Sequence, residues 1–142
     1  MHRRISKKQY YLGIARQVAA RSTCLKRNYG CVIVKNDEII ATGYNGAARG
    51  ETNCCDVFDV CPRKNAAHNG NDYSDCFSVH AEQNAMISAP RRDMLGATMY
   101  LIGVEGETGK DIPECVPCQI CARMIRNAGI AEVVGPQDIA EE

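Results

Sequence analysis

The chain has 142 residues and balances 17 Lys and Arg against 17 Asp and Glu, and a zero net charge gives no support for a protein that clings to long nucleic acid, which needs a basic excess. Hydrophobic residues make up 45% and charged residues 24%, the profile of one globular domain, here expected over residues 1–142, with a single core. No apolar run approaches the roughly 18 residues that cross a bilayer, and the basic stretch Met1 to Lys8 lacks the apolar segment of a signal peptide, so a cytoplasmic protein without membrane contact is expected.

Taken in chain order, Ser6 is placed to cap a helix running to about Ala20, with Tyr11, Ile14 and Val18 on one buried face. Cys31 to Lys35 is rich in β-branched residues and reads as a strand. Asn36-Asp37 is a turn signal, and Glu38 to Gly43 is the return strand of a hairpin. From Gly46 to Phe77 the periodic pattern is lost among Gly, Asn, Asp and Pro, with Cys54, Cys55, Cys61 and Cys76 in the same stretch. A structureless loop of about 30 residues is improbable in a compact domain, so a metal is expected to hold it. Val79 to Ala89 reads as a helix ended by Pro90. Thr98 to Gly103 is a strand and Gly106 to Pro113 a loop. Pro117 to Ala128 reads as a helix with Pro in its first turn and Gly129 just past its end. Ile130 to Val134 is a final short strand, and Pro136 to Glu142 an acidic tail. This order predicts a three-layer α/β/α domain, with helices on both faces of one sheet.

Nine cysteines in a reducing compartment call for metal ligation rather than disulfides, although any one of them taken alone serves equally as a small buried hydrophobe. Two segments carry the chemistry: His80-Ala81-Glu82 at one helix start and Pro117-Cys118-Gln119-Ile120-Cys121 at another. One imidazole and two thiolates make the three protein ligands of a catalytic zinc, which keeps its fourth position for water. Cys118 and Cys121, three apart on a helix, face the same side. The partial positive charge of a helix N-terminus is expected to help hold them ionised. Glu82 is placed to take a proton from an activated water and hand it to a substrate nitrogen. Together the segments match the H-x-E and P-C-x-x-C signature of zinc nucleobase deaminases.

With these residues in view, the chain resembles the deoxycytidylate deaminase family of the cytidine-deaminase-like fold, a three-layer architecture around a central mixed sheet. The resemblance covers nearly the whole chain. It runs through Arg21-Ser22-Thr23-Cys24-Leu25-Lys26-Arg27, Gly30-Cys31-Val32-Ile33-Val34, Thr42-Gly43-Tyr44-Asn45-Gly46, Ser78 to Ala85, Ala97-Thr98-Met99-Tyr100 and Asn127-Ala128-Gly129-Ile130. It implies zinc-dependent hydrolysis of deoxycytidine monophosphate to deoxyuridine monophosphate, which feeds thymidylate synthesis. His80, Cys118 and Cys121 would hold the zinc and Glu82 would shuttle protons. Asn45 would hydrogen-bond the sugar, an amide being both donor and acceptor, and the backbone of Ala81 would meet the base. Lys26, Arg27 and Arg49 are candidates for the 5′-phosphate, Arg being able to bind it bidentately, against the plain alternative of solvated surface charge. Gly43, Tyr44, Gly46 and Gly50 lie in a loop that binds deoxynucleoside triphosphate effectors in many members. Here Ala48 stands where the family pattern carries Pro. The stretch Leu101 to Val116 is longer than in the shortest members. Family members are commonly hexameric, so a homo-oligomer is expected.

Some phage and bacterial members also use a Cys of the Thr-Cys segment and the first Cys of Asn-Cys-Cys-Asp for a second, structural zinc, which here implies Cys24 and Cys54. Cys76 is assigned third and Cys61 fourth, with His68 as the alternative to Cys61. Competing readings are another cytosine nucleotide (dCTP or CMP) as substrate, a tRNA adenosine deaminase, and a zinc-stabilised interaction module. The tRNA enzyme would show a basic face and an Asp-Pro-Thr-like lead in place of Cys76-Phe77-Ser78-Val79. The module would have no need of Glu82. A free-nucleoside cytidine deaminase usually carries Cys where His80 stands, and a riboflavin-pathway deaminase is normally fused to a reductase domain.

Overall fold

The computed structural model describes residues 2–62 and 76–139. The first helix, α1 (Lys7–Ala19), starts where Ser6 predicts. Ser6 Oγ accepts from Gln9 N at 3.2 Å, and Gln9 Oε1 accepts from Ser6 N at 3.1 Å, so two otherwise orphaned amides are satisfied reciprocally. Strands β1 (Arg27–Lys35) and β2 (Glu38–Tyr44) form the expected hairpin. Asn36 and Asp37 turn it with φ of 52° and 63°, both in the left-handed region that a two-residue turn of this twist requires.

A short ribbon, β3 (Gly46–Ala47) with β4 (Ser78–Val79), stands apart from the main sheet. Helix α2 (Cys54–Val57) lies between the two in sequence. Helices α3 (Ala81–Ile87) and α4 (Arg91–Met94), strand β5 (Thr98–Glu105), helix α5 (Gln119–Ala128), strand β6 (Glu132–Val134) and a single 3-10 turn at Pro136–Asp138 complete the order. The main sheet runs β2-β1-β5-β6 among the described residues. β1 is antiparallel to both neighbours and β6 is parallel to β5, so the sheet is mixed.

Several predicted boundaries move, each for a physical reason. β1 begins at Arg27 rather than Cys31, because β5 runs on to Glu105 and Arg27 pairs opposite it. Val79 belongs to β4, where it pairs with Gly46, and not to the following helix. Pro117 precedes the cap of α5 instead of sitting in its first turn. The stretch from Gly46 to Phe77 is not wholly irregular, since it holds β3 and α2. The final strand starts at Glu132, and part of the predicted acidic tail is the 3-10 turn.

Strand alternation builds the three layers. Val32, Val34, Tyr100, Ile102 and Val134 point to one face, where α1 buries Tyr11, Leu12, Ala15 and Ala19. The buried stripe of α1 is thus rotated from the predicted one, with Ile14 and Val18 at its fringe. Cys31, Ile33, Met99 and Leu101 point to the other face, against Ala81, Ala85 and Met86 of α3 and Ile125 and Ala128 of α5. Two strand glycines let helices approach closely. A Cβ on Gly30 would overlap Ala15 O and lie 2.6 Å from Ala19 N, and one on Gly43 would overlap Ala81 O and Ala85 N. Among the described residues no helix is long and apolar enough to cross a membrane.

One substitution at two glycines should act with opposite signs. Gly30→Ala forces α1 off the sheet and should cost about 1–3 kcal/mol. Gly13, inside α1 with nothing within 4 Å of a new Cβ, should gain about 0.5–1 kcal/mol on the same change. Urea denaturation of the two variants beside the parent protein checks both signs.

Candidate active site and metal centre

Two helix N-termini meet on the α3–α5 side of the sheet. His80 is the cap residue of α3 in extended conformation, with φ −71° and ψ 153°. It is fixed from both directions. Upstream, Val79 is paired in the β3–β4 ribbon. Downstream, His80 N donates to Gln83 Oε1 at 2.9 Å. Asn84 Nδ2 donates to Tyr44 O at 2.8 Å, tying α3 to the end of β2 where Gly43 leaves room for it. Cys118 caps α5, and its Sγ accepts from Cys121 N at 3.5 Å. Gln83 and Asn84 escaped the sequence reading because Val79 was placed inside the helix. With His80 at the cap, Gln83 stands at the third helical position, where a glutamine reaches back to the cap amide.

The packing of α3 and α5 brings three ligating atoms together. His80 Nδ1 lies 3.3 Å from Cys121 Sγ and 3.6 Å from Cys118 Sγ, and the three atoms are all within 4.8 Å of one another. Tetrahedral zinc with ordinary bond lengths sets N and S about 3.6 Å apart. Glu82 is buried beside them, 6% exposed.

Electrostatics supports the same fit. Burial first, then the Glu82 carboxyl and the Cys118 thiol, push the Cys121 thiol far above its ordinary range. At Cys121, burial beside a carboxyl works against the help expected from the partial charge of a helix terminus. A dication held by the three donors would offset that burial. Burial also raises the Glu82 carboxyl, opposed by its backbone hydrogen bond, by His80 and by the Cys121 thiol.

Asn45 is buried and heavily used. Its Oδ1 accepts from Ser22 Oγ at 2.6 Å and Tyr29 N at 2.8 Å, and its Nδ2 donates to Arg27 O at 2.9 Å. It fastens the α1–β1 connection to the end of β2. Among the described residues its Nδ2 donates one hydrogen bond, to Arg27 O. Ala81 is fully buried at the first position of α3. Gly43 and Gly46 both lie where a side chain would strike a neighbour, Gly46 against Thr23. Gly50 turns the chain with φ 85°, and Tyr44 is 37% exposed.

Of the three predicted phosphate cations, Arg27 is exposed but has Glu105 Oε1 at 3.6 Å from its Nε. Lys26 and Arg49 are exposed and carry no ion pair among the described residues. Cys54 is buried, and the Cys24, Cys76, Cys61 and Cys55 thiols lie close enough to add to the burial that raises its thiol. Among the described residues, His80, Cys118 and Cys121 are the group whose ligating atoms converge, and His68 lies outside the described residues.

Residues 5–135 match the family described as the cytidine and deoxycytidylate deaminase zinc-binding region. The chain belongs to this deaminase family. It is 37% identical to a deoxycytidylate deaminase of Mycobacterium phage D29, over 92% of this chain and 94% of that protein. It is 40% identical to the deoxycytidylate deaminase of Saccharomyces cerevisiae over 90% of this chain, and there it spans 36% of the relative's length. A crystal structure of dCMP deaminase from the cyanophage S-TIM5, in complex with dCMP and dUMP, superposes with a TM-score of 0.63 and 26% identity, covering 94% of this chain and 83% of that one. The cytidine deaminase of Mycobacterium tuberculosis shares the fold, with a TM-score of 0.51 and 17% identity over 92% of this chain and 85% of that one.

His80, Cys118 and Cys121 would hold the zinc of this family, which would supply the Lewis acidity that lowers the pKa of water toward neutrality. Glu82, buried beside His80 and Cys121, is the residue the sequence reading gives the proton-shuttle role. Glu82→Gln removes the acid and base while leaving all three ligands. It should keep the zinc content of the parent and lower kcat by at least about 10²–10⁴-fold, read by metal analysis and by loss of cytosine absorbance in parallel.

Proposed function

We propose that this deaminase hydrolyses the 4-amino group of deoxycytidine monophosphate, with water, to give deoxyuridine monophosphate and ammonia. The observation that carries the reading is a buried carboxylate, Glu82, beside a His, Cys, Cys donor set. It sits in a chain that matches a phage deoxycytidylate deaminase over almost all of both lengths. Glu82 takes a proton from the attacking water and returns it to the pyrimidine ring nitrogen. A second proton passes through the same carboxylate to the departing amine. The N–H of the α3 first turn at Ala81 orients the base, and the remaining Nδ2 hydrogen of Asn45 serves the sugar hydroxyl.

Lys26 and Arg49 are the better phosphate cations, since a carboxylate already competes for Arg27. A cytoplasmic setting agrees with nine free thiols. Exposed Ile87, Val116, Ile120 and Met124, on α3, on α5 and just before it, support a homo-oligomer. Rates on deoxycytidine monophosphate, deoxycytidine triphosphate, CMP, cytidine and an adenosine-containing tRNA loop test the substrate, with the first expected to have the highest kcat/KM. Arg49→Ala should raise KM for the monophosphate about tenfold or more, as loss of a charge-assisted contact predicts, and leave residual deoxycytidine turnover unchanged. Equal losses on both would remove the phosphate role.

The second, structural zinc belongs to the same reading. Cys24, Cys54, Cys61 and Cys76 come from three separate stretches of chain, and the Cys24, Cys61 and Cys76 thiols all lie near enough to add to the rise of the Cys54 thiol, as the Cys55 thiol does. His68 is retained as the alternative to Cys61. Four protein ligands would close the coordination sphere and tie the β3–β4 region to the start of β1. Metal analysis should then give two zinc ions per chain, and Cys54→Ala one, with a lower melting temperature. One zinc per chain in fully active parent protein would exclude it.

A further inference from the structure

Cys118 must serve as helix cap and metal ligand at once, yet the chain that delivers it, Gly106 to Pro117, lies outside both sheets. What fixes its last part is one side chain from the far end of the molecule. Gln137 Oε1 accepts from Cys115 N at 3.0 Å, and Gln137 Nε2 donates to Cys115 O at 3.1 Å. A single amide thus meets both backbone groups of one residue, as a neighbouring strand would. Cys115 is 2% exposed, and its Sγ donates to Ile112 O at 3.5 Å. Ile112 N in turn donates to Gly103 O of β5 at 2.9 Å.

Gln137 itself is held firmly. Val134, buried, pairs with Tyr100 at the end of β6. The next residues close a turn, with Gly135 N donating to Asp138 Oδ2 at 2.9 Å and Asp138 N to Gly135 O at 3.0 Å. A Cβ on Gly135 would lie 2.7 Å from both Cys115 O and Gln137 Nε2, so strand end, amide and loop are packed without room for a methyl. Between the clamped Cys115 and the ligand Cys118 stand only Val116 and Pro117, and proline's fixed φ leaves this connection little freedom.

We infer that Gln137 is a positioning residue of the zinc centre: by clamping the backbone of Cys115 it presets the Cys118 thiol for the metal. The inference rests on the zinc reading of His80, Cys118 and Cys121, and not on the identity of the substrate. Gln137→Ala leaves a buried N–H and C=O unpaired. Gln137→Glu keeps the shape and the acceptor but turns a carboxylate oxygen toward Cys115 O, so it tests the clamp even where the alanine variant folds poorly.

The test uses the full-length, zinc-loaded protein. Zinc release to excess chelator is followed with a metallochromic dye, and the phase belonging to this centre is the one absent from His80→Ala. Both Gln137 variants should release that zinc about 10–100-fold faster, the usual range for a group that orients a metal ligand. They should lose more in kcat than in KM, and the rise in melting temperature on adding zinc to stripped protein should shrink. Arg16→Ala, which cuts the 2.9 Å Arg16–Asp111 pair on the same excursion, should release zinc at the parent rate. Unchanged zinc release in Gln137→Glu, or equal drops in the melting temperatures of the stripped and loaded proteins, would overturn the proposal. Parent protein with no zinc phase attributable to His80 would overturn the zinc reading itself.

Discussion

Everything in the molecule turns on a buried electrostatic conflict. Two thiols, an imidazole and a carboxyl are packed into one place on the α3–α5 side of the sheet, and the Cys121 thiol and Glu82 carboxyl both resist ionisation there. Burying acidic groups together is costly unless a cation joins them. A dication held by His80, Cys118 and Cys121 would cancel two thiolate charges, with the imidazole as its third donor. On the proposed reading Glu82 would then remain as the negative group beside it, outside the donor set and free to exchange protons. The arrangement is poor as a folding device and good as a reaction centre.

The rest of the fold can be read as the means of holding that conflict in place. The helices reach their positions because glycines on two strands let backbone touch backbone, Gly30 under α1 and Gly43 under α3. Polar side chains then lock the ends. Gln83 caps α3, Asn84 ties it to Tyr44, and Asn45 draws the Ser22 to Tyr29 segment against the end of β2. None of these contacts touches the donor atoms. Each removes a way for His80 or its neighbours to drift, and a catalytic geometry tolerates little drift.

The chemistry was legible in the sequence because it is local in the chain. His80-Ala81-Glu82 and Cys118 to Cys121 each place their groups within one helical turn, so spacing alone identifies a donor set. The layers were legible too, since the β-branched run at Cys31 to Lys35 and the strand at Thr98 to Gly103 alternate with helical segments, the order of helices packed on a sheet. What escaped was long-range. The extension of β1 back to Arg27 depends on Glu105, nearly eighty residues on. Val79 is a strand residue only because Gly46 lies opposite it. The buried stripe of α1 depends on which residues meet the sheet, and Ala15 and Ala19 carry no strong signal of their own. Asn45 read as a ligand group is also a structural fastener, a use that no local pattern reveals.

Charge distribution follows the same logic at larger scale. A chain with no net charge can still recognise an anion if its cations are left uncommitted where the anion arrives. Arg16, Lys7 and Arg27 are committed, to Asp111, Asp37 and Glu105 respectively. Among the described residues Lys26 and Arg49 carry no ion pair, Lys26 standing just before β1 and Arg49 just after β3. On the proposed reading the phosphate would be held by cations outside the donor set, and the carboxyl whose ionisation burial already disfavours would not have to bind it. Separating the anchoring charge from the reacting carboxylate in this way would let one small site bind a dianion and still use an acid as its base.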